Sequence, residues 1–326
     1  MPKSFTLSRR NLVLAGAAAC IAPELLAQTW PGKPIKLIVP FPPGGGTDTF
    51  ARPLAAKLAE QLGQAVVIDN RGGAGGTVGA DMAAKSPADG YTILVGAVHH
   101  TVAVTAYKRL GYNLERDLVP ITGIAYVPDV LVINAQLPVK NLAEWIAYCK
   151  ANPTKVNFGS SGNGTTRHLA GEIFNARTGT SMVHVPYKGS GPAMAGLLAG
   201  EIQMIFEGLG SAASQIRGGK IRALAVAAPQ RAEAFPDIPT TAQAGLKDFE
   251  SLSWYGLWVP VGTPADIRQR LQAEVAIAFK SPDLQSIWHQ QGAAVGGEPS
   301  EAFAKFVKSE IEKWGKVIRA NGIDMD

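Results

Sequence analysis

The amino-acid sequence predicts an α/β fold with two domains and a cleft between them. Short apolar or β-branched runs alternate with segments of helical periodicity through most of the 326 residues, and this alternation is typical of sheets covered by helices on both faces. Apolar residues make up 46% of the chain and charged residues only 17%, so the composition is that of a globular protein with sizeable cores. We therefore expect two mostly parallel sheets flanked by helices.

Short runs of apolar or β-branched residues are predicted to form the strands. From Thr263 onward the pattern changes to helices, which start at Thr-Pro, Ser-Pro and Pro-Ser pairs and stop at Gly. No strand is predicted after these helices, so we expect them to pack back onto an existing sheet. The predicted strands are residues 35–41, 65–70, 91–97, 130–134, 156–161, 182–187, 202–208 and 221–228.

Two apolar runs punctuated by Pro and Gly, residues 119–134 and 251–264, could carry the chain from one domain to the other. Two crossings would make one domain discontinuous. The predicted boundaries are 28–123 plus 255–326 for domain 1, and 124–254 for domain 2. A cleft between domains is a preferred place for a ligand.

The first 27 residues have the composition of an export signal. Arg9 and Arg10 precede an apolar run, and Ala27 is a small residue suited to cleavage. The paired arginines resemble a twin-arginine motif, which leaves the Tat and Sec export routes open. Cys20 lacks the bulky apolar residue that normally lies three positions before a lipidated cysteine. Cleavage near Ala27 predicts a periplasmic protein in which Cys149, a small core residue, is the one remaining cysteine.

The first of two glycine-rich loops lies between a predicted strand and a predicted helix that begins near residues 47–49. Gly44, Gly45 and Gly46 occupy this turn, and Thr47 or Asp48 is suited to cap the helix. Free backbone N–H groups at a helix N-terminus attract anions. The alternative is a tight turn that binds no ligand.

The second loop repeats this arrangement. A strand ending near Ser160 is followed by Gly162, Asn163 and Gly164, and Thr165 or Thr166 is predicted to cap a helix from Arg167. Two such loops, one in each predicted domain, could face one carboxylate across the cleft. A third helix start, in the run VPYKGSGPA, has Pro192 in its first turn.

Nucleotide, metal and hydrolase sites are disfavoured by spacing. No G-x-G-x-x-G occurs in the glycine-rich loops and the chain has no P-loop motif. His99 and His100 are adjacent, so on a strand they would point to opposite faces and could not easily share a metal. A hydrolase would need Ser161 as nucleophile with His168 or His100 as base, but the nucleophile elbow is missing. The net charge of +5 fits anionic small ligands and does not point to nucleic acid.

Several motifs in order resemble the Bug family of substrate-binding receptors of tripartite tricarboxylate transporters. They are WPGKPIKLIVPFPPGGGTD, DGYTILVG, SSGNGT followed by HLAGE, HVPYKGSGPA, FPDIPTTAQAGL and SWYGLWVPVGTP, which together span nearly the whole chain after the signal. The resemblance implies a type II-like periplasmic binding protein, not an enzyme, with no cofactor and no metal. It also implies a small carboxylate ligand, a membrane permease or a sensor kinase as partner, and a monomer.

In that family a ligand carboxylate is held between the two glycine-rich loops by backbone N–H groups, hydroxyls and water. Transferred to this sequence, the resemblance and the loop positions give a set of expected ligand-binding residues. They are Phe41, Pro43, Gly44, Gly45, Gly46, Thr47, Asp48, His99, His100, Ser160, Ser161, Gly162, Asn163, Gly164, Thr165, Thr166, Arg167, Tyr187 and Glu207.

Departures from the family pattern bear on which acid is bound. Arg167 lies in a first helical turn, where the helix dipole disfavours a cation, so we expect its side chain to extend into solvent or else to meet a second ligand carboxylate. Glu207 could receive an ammonium or hydroxyl group or could brace a loop. Trp254 and Tyr255 could stack on a ligand ring or belong to the hinge core. Arg167, His99 and His100 favour a dicarboxylate, or an aromatic acid if Trp254 or Tyr255 reaches the pocket.

Overall fold

The structure is a computed structural model that describes residues 30–320. From Lys33 onward the chain forms one compact unit. The predicted export signal, its cleavage near Ala27 and the interpretation of Cys20 lie outside the described residues. Within the described part of the chain, no helix is long and apolar enough to cross a membrane.

Strands and helices alternate along the chain as the sequence predicts. The strands are β1 (Ile35–Val39), β2 (Val66–Asn70), β3 (Thr92–Ala97), β4 (Leu118–Asn134), β5 (Asn157–Ser160), β6 (Val183–Pro186), β7 (Met204–Gly208), β8 (Ile221–Val226), β9 (Leu252–Pro260) and β10 (Ala294–Val295). The helices are α1 (Gly46–Leu62), α2 (Thr77–Ala84), α3 (Val98–Ala106), α4 (Leu142–Ala151), α5 (Thr166–Thr178), α6 (Ser190–Ala199), α7 (Leu209–Arg217), α8 (Ala265–Ala278), α9 (Pro282–Gln290) and α10 (Ser300–Ala320).

The strands lie in the order β2-β1-β3-β9-β4-β7-β5-β6, with β8 and β10 also paired to β4. The α/β class is confirmed, but the pairing is mixed where mostly parallel sheets were expected. Strands joined through helices, β1 to β3 and β5 to β7, pair in parallel, because a helical crossover returns the chain in the same direction. In contrast, β4 and β9 pair antiparallel with each other and with the strands beside them.

Strand β4 is longer than the sequence pattern indicates. A strand was predicted only over 130–134, yet β4 begins at Leu118 and continues through Pro120 and Pro128. Its first part pairs with β9 and its last part with β7 and β8. The register with β9 shifts between Pro120 and Thr122 and again between Gly123 and Ala125. Such an irregularity is where a sheet tolerates proline, and Pro120 lies at the first of them.

Two apolar cores lie on the two parts of the sheet. One contains Trp145, Phe158, Phe174 and Phe206, contributed by α4, β5, α5 and β7. Cys149 belongs to this core as predicted, and its burial raises the pKa of the thiol to about 12. All of its buried residues lie between Leu131 and Phe249, so this core is built from one continuous stretch of chain.

The second core joins the N-terminal strands to the last helix. It contains Leu94, Val98, Trp258 and Phe303, from β3, α3, β9 and α10. Trp254 is also fully buried there and donates its indole N–H to Glu310 of α10. The C-terminal helix therefore packs back onto an existing sheet as expected, although a two-residue strand, β10, separates it from α9.

Asp129 connects the strands where the chain passes between the two parts of the sheet. Its carboxylate is fully buried and accepts hydrogen bonds from the Ser251 and Ser253 hydroxyls, at 2.5 and 2.6 Å. Its backbone N–H donates to Ser251 and its carbonyl accepts from Ala227. These hydrogen bonds stabilise the buried carboxylate and link β4 to the start of β9.

Replacing Asp129 with Ala should lower the free energy of unfolding by about 2–4 kcal/mol, because two hydrogen bonds to a charged group are lost and two buried hydroxyls lose their acceptor. Urea unfolding measures the change. The matched control is Asp89→Ala, which removes an exposed carboxylate 3.2 Å from Lys33 and should have a far smaller effect. Equal losses for the two variants would contradict this role of Asp129.

Candidate functional site

The N-termini of four helices meet around one small cavity. Its volume is about 20 Å³, where roughly 10–15 Å³ is needed to hold a single water. Helices α1, α3 and α5 each contribute their first residues, and α6 contributes Ser190. The lining residues are Phe41, Gly45, Gly46, Thr47, Ala97, Val98, His99, Ser161, Thr165, Thr166, Arg167, Ser190, Ser253 and Tyr255.

The first glycine-rich loop leaves the start of α1 without a side-chain cap. The helix begins at Gly46, and neither Thr47 nor Asp48 caps it, so that prediction is wrong. Asp48 instead accepts a hydrogen bond from the Gly44 N–H and two from Arg52. Burial would raise the pKa of Asp48, but these bonds and one from Asn70 lower it. The carboxylate therefore braces the loop while the first N–H groups of α1 stay available.

A close contact explains why glycine occupies the first position of α1. A Cβ atom at Gly46 would lie only 2.0 Å from the Tyr255 hydroxyl. Glycine therefore lets the helix start approach the crossing strand β9 and places its N–H groups against the cavity.

The second loop has the same open end. Helix α5 begins at Thr166, one residue earlier than predicted, and Thr165 lies at its N-cap position without capping it. The Thr165 hydroxyl donates to the carbonyl of Gly162 at 2.8 Å. Ser160 also bonds to Gly162, and its hydroxyl lies 2.7 Å from His184 Nε2. These bonds hold the loop closed on itself, so the first N–H groups of α5 remain available.

His99 and His100 lie in the first turn of α3, so the expectation that they point to opposite faces of a strand is wrong. Their Nε2 atoms are 3.1 Å apart, and His100 Nδ1 lies 3.2 Å from the Tyr112 hydroxyl. Burial lowers the pKa of His100 to about 3. Burial, His100 and Arg167 lower the pKa of His99 well below its ordinary value. Both imidazoles are therefore neutral at physiological pH and share one hydrogen bond.

Arg167 is buried, which contradicts the expectation of a solvent-exposed side chain. It is only 9% exposed, because it extends along the cavity wall to Ser190 and Glu207. Its Nη1 donates to the Ser190 hydroxyl at 2.6 Å, and its Nη2 lies 2.8 Å from Glu207 Oε1. Burial alone would lower the pKa of the guanidinium, but the Glu207 carboxylate keeps it raised.

Glu207 does not line this cavity; it braces the turn between β7 and α7. Its Oε1 accepts hydrogen bonds from the Gly208 N–H and from Ser211. The side chain is almost completely buried. Of the two roles considered from the sequence, loop bracing is the one that these contacts support.

Tyr255 lines the cavity, whereas its neighbour Trp254 is a core residue, because successive side chains on a strand point to opposite faces. The Tyr255 ring packs against Phe50 at 5.1 Å between centroids. Burial raises the pKa of its hydroxyl to about 12, so the phenol stays protonated and available as a donor.

About half of the ligand-binding residues predicted from the sequence line the cavity. Those that line it are Phe41, Gly45, Gly46, Thr47, His99, Ser161, Thr165, Thr166 and Arg167. Gly162, Asn163 and Tyr187 line an adjoining cavity of about 350 Å³, and Gly44 and Glu207 line another of about 440 Å³. Pro43, Asp48, His100, Ser160 and Gly164 line none of these three cavities.

Five lining residues are absent from the predicted set. Ser190 begins the third helix start noted in the sequence, the one with Pro192 in its first turn. Tyr255 was considered only as a stacking or hinge residue. No sequence pattern indicates Ala97, Val98 or Ser253 as site residues. They line the cavity because the fold brings their strands together there.

Neither a metal site nor a Ser-His hydrolase site is built from the described residues. No group of three or more His, Cys, Asp or Glu side chains among them could hold a metal ion. His184 pairs with Ser160, not with the candidate nucleophile Ser161, and His168 Nδ1 accepts the Gly164 N–H at 3.3 Å.

Acidification should destabilise the protein through the buried histidines. Between about pH 6.5 and pH 3 the unfolded chain binds a proton at His100 that the folded chain does not, so the free energy of unfolding falls as the pH falls. His100→Gln should reduce this slope by up to about 1.4 kcal/mol per pH unit. Urea unfolding at pH 7, 6 and 5 measures how steeply the free energy of unfolding depends on pH. Replacing the exposed His289 is the control, and an unchanged slope in His100→Gln would contradict the interpretation.

Comparisons with known proteins agree with this arrangement. A family described as "Tripartite tricarboxylate transporter family receptor" matches residues 50–323. Protein BugT from Bordetella pertussis (strain Tohama I) is 40% identical over 308 residues, which cover 94% of each chain.

Two solved structures from Rhodopseudomonas palustris are similar over nearly their full length. One contains adipate; it is 37% identical, has a TM-score of 0.88 and is matched over 90% of this chain and 99% of that one. The other is MatC with bound malate; it is 32% identical, has a TM-score of 0.84 and is matched over 89% of this chain and 100% of that one. The chain therefore belongs to the Bug, or tripartite tricarboxylate transporter receptor, family of periplasmic solute-binding proteins, which bind ligands and are not enzymes.

Proposed function

We propose that this receptor captures a small organic carboxylate in the cavity at the helix N-termini and delivers it to a tripartite tricarboxylate-type permease. One observation carries the proposal. The first turns of α1, α3 and α5 have no side-chain cap and line a cavity in which, among the described lining residues, Arg167 is the one side chain that carries a formal charge.

The electrostatics of this arrangement favour an anion. Each helix N-terminus carries about half a positive charge and presents N–H groups without helical partners. The hydroxyls of Thr47 and Ser161 add short donors on the same walls. A carboxylate that leaves water needs several such donors to offset its desolvation. These donors are supplied mainly by the backbone, so binding of the carboxylate does not depend on a cluster of cationic side chains.

The ligands of related proteins support an organic acid. One relative contains adipate and another malate, both of them dicarboxylates. Aromatic side chains, Phe41 and Tyr255, also line the cavity, which keeps an aromatic acid as an alternative. The backbone donors of the loops suit either class.

Binding requires the cavity to open. Its walls come from both predicted domains, 28–123 with 255–326 on one side and 124–254 on the other, and its volume of about 20 Å³ is too small to admit an organic acid without separation of the walls. We propose a hinge motion at β4 and β9, in which a ligand that contacts both loops stabilises the closed form. The permease would then recognise that form, and the export signal, cleaved near Ala27, would place it in the periplasm.

A thermal-shift screen of the purified protein tests the proposal. The screen covers mono-, di- and tricarboxylates, aromatic acids and uncharged amides of matching shape. A ligand that binds only the folded state raises the melting temperature by mass action, about 2.7 kcal/mol of stabilisation at a hundred times its dissociation constant. We expect stabilisation by acids of one class and none by the matched amides. Equal shifts with acids and amides, or no shift with any acid, would contradict the proposal.

A further inference from the structure

Two stacked imidazoles contact the second glycine-rich loop, and the proposed function makes no use of them. The rings of His168 on α5 and His184 on β6 lie 3.9 Å apart between centroids and are nearly parallel, with 18° between their planes. His184 also stacks on the fully buried ring of Phe158 of β5, at 4.9 Å and 30°. This ring stack joins β5 and α5, the two elements that flank the loop, to β6.

Each imidazole holds a different part of the loop. His168 Nδ1 accepts the Gly164 N–H at 3.3 Å, and His184 Nε2 lies 2.7 Å from the Ser160 hydroxyl. Ser160 in turn is bonded to both the N–H and the carbonyl of Gly162, at 3.2 and 3.0 Å. Gly162 and Gly164 have positive φ angles of 129° and 71°. The two histidines therefore hold the glycines that give the loop its shape.

The bond from Gly164 requires a neutral His168. Nδ1 can accept a hydrogen bond only while it carries no proton, and an imidazolium has an N–H donor at both nitrogens. A protonated His168 would place an N–H directly against the Gly164 N–H, so the glycine would have to move.

Few ionisable groups face the pair. Among the described residues they are the two imidazoles themselves and Glu172, whose Oε1 lies 3.7 Å from His168 Nε2. Phe158, Ser160 and the loop glycines that pack against the rings carry no charge. Burial, together with the neighbouring His168, lowers the pKa of His184 to about 4 although Glu172 opposes this. His184 is therefore neutral at physiological pH.

The histidines reach the cavity only through the loop. His168 and His184 line none of the three cavities around the helix N-termini. In contrast, Ser161, Thr165 and Thr166 lie in the loop or at its end and line the small cavity. A displacement of Gly162 or Gly164 would move these residues and the first N–H groups of α5, because the chain between them is short. Groups that act on a site in this way support its geometry without touching the ligand.

We propose that His168 and His184 are positioning residues that hold the second glycine-rich loop in its binding geometry, and that protonation of His168 releases Gly164 and weakens binding of the acid. The part that concerns affinity rests on the proposed function, because the acid is held at this loop. The part that concerns the loop itself requires no ligand.

NMR spectra of the uniformly labelled protein test the loop without ligand. The sample is titrated from pH 7.5 to pH 5.5, across the range in which histidines ordinarily change charge. We expect the amide resonance of Gly164 to shift in step with the ring resonances of His168. A Gly164 amide that does not follow the ring, or a His168 ring that stays neutral throughout, would overturn the role of protonation.

Variants test the positioning role at pH 7.5, with adipate, malate and the acid that stabilises the parent most as probes in calorimetry. His168→Ala removes the acceptor for Gly164, so the affinity should fall about tenfold. His168→Asn combined with His184→Gln keeps polar atoms near the positions of Nδ1 and Nε2. This double variant should bind within about threefold of the parent, since it can remake the bonds to the loop. A tenfold loss in the double variant as well would assign the effect to ring packing and overturn the role of the hydrogen bonds.

The pH profile separates positioning from mere structural support. Between pH 7.5 and pH 5.5 the parent should lose about threefold more affinity than the double variant, which has no imidazole to protonate at the loop. Both proteins are measured with the same acid, so protonation of the acid itself cancels. His289→Asn is the matched control, because His289 is exposed on α9, and it should follow the parent at every pH.

The outcomes distinguish the inference from the proposed function. If acids bind the parent but His168→Ala keeps its affinity, or the parent and the double variant share one pH profile, the inference is wrong and the carboxylate receptor stands. A parent that gains affinity over the double variant as the pH falls would show that the imidazolium attracts the acid directly, which also overturns the inference. If no acid binds the parent, the proposed function fails, and the NMR titration still decides whether His168 holds the loop.

Discussion

The antiparallel pairing of β4 with β9 is the constraint on which the rest of the structure depends. These two strands extend through the centre of the sheet, and each part of the sheet is completed by strands that add to them. The buried carboxylate of Asp129 joins β4 to the serines that begin the return strand. Because both chain crossings are held side by side in one ladder, the two parts of the sheet are connected by paired strands and not by a loose linker.

The position of the site follows from this arrangement. Strands β1, β3 and β5 each end at the cavity, and the helix that follows each of them begins there. In open α/β sheets the carboxyl ends of the strands are where ligands bind, since helix N-termini collect at that edge. The glycines of the two loops allow the helix starts to come close, as Gly46 does against the Tyr255 hydroxyl. Side chains that would cap these helices are used elsewhere, Asp48 for Arg52 and Thr165 for Gly162.

Buried charge is handled differently at each place where it occurs. Asp129 is satisfied by two hydroxyls, and Glu310 by two indole N–H groups. His99 and His100 avoid the cost by staying neutral, because burial lowers the pKa of both. Arg167 is balanced in charge by Glu207 but is not saturated in hydrogen bonds.

The sequence by itself determined the α/β class, eight of the ten described strands in whole or in part, and the two glycine-rich loops, because these depend on local periodicity and on turn chemistry. It also indicated the family, through motifs that span the chain. Only the tertiary structure decided the length of β4, in which Pro120 lies at an irregularity of the ladder with β9. It also decided the contact between the two histidines and the burial of Arg167, since the helix dipole argument for exposure did not include a Glu207 forty residues away. Tyr255 and Ser253 enter the cavity for the same reason. Their roles depend on what the fold brings opposite them, which no local pattern records.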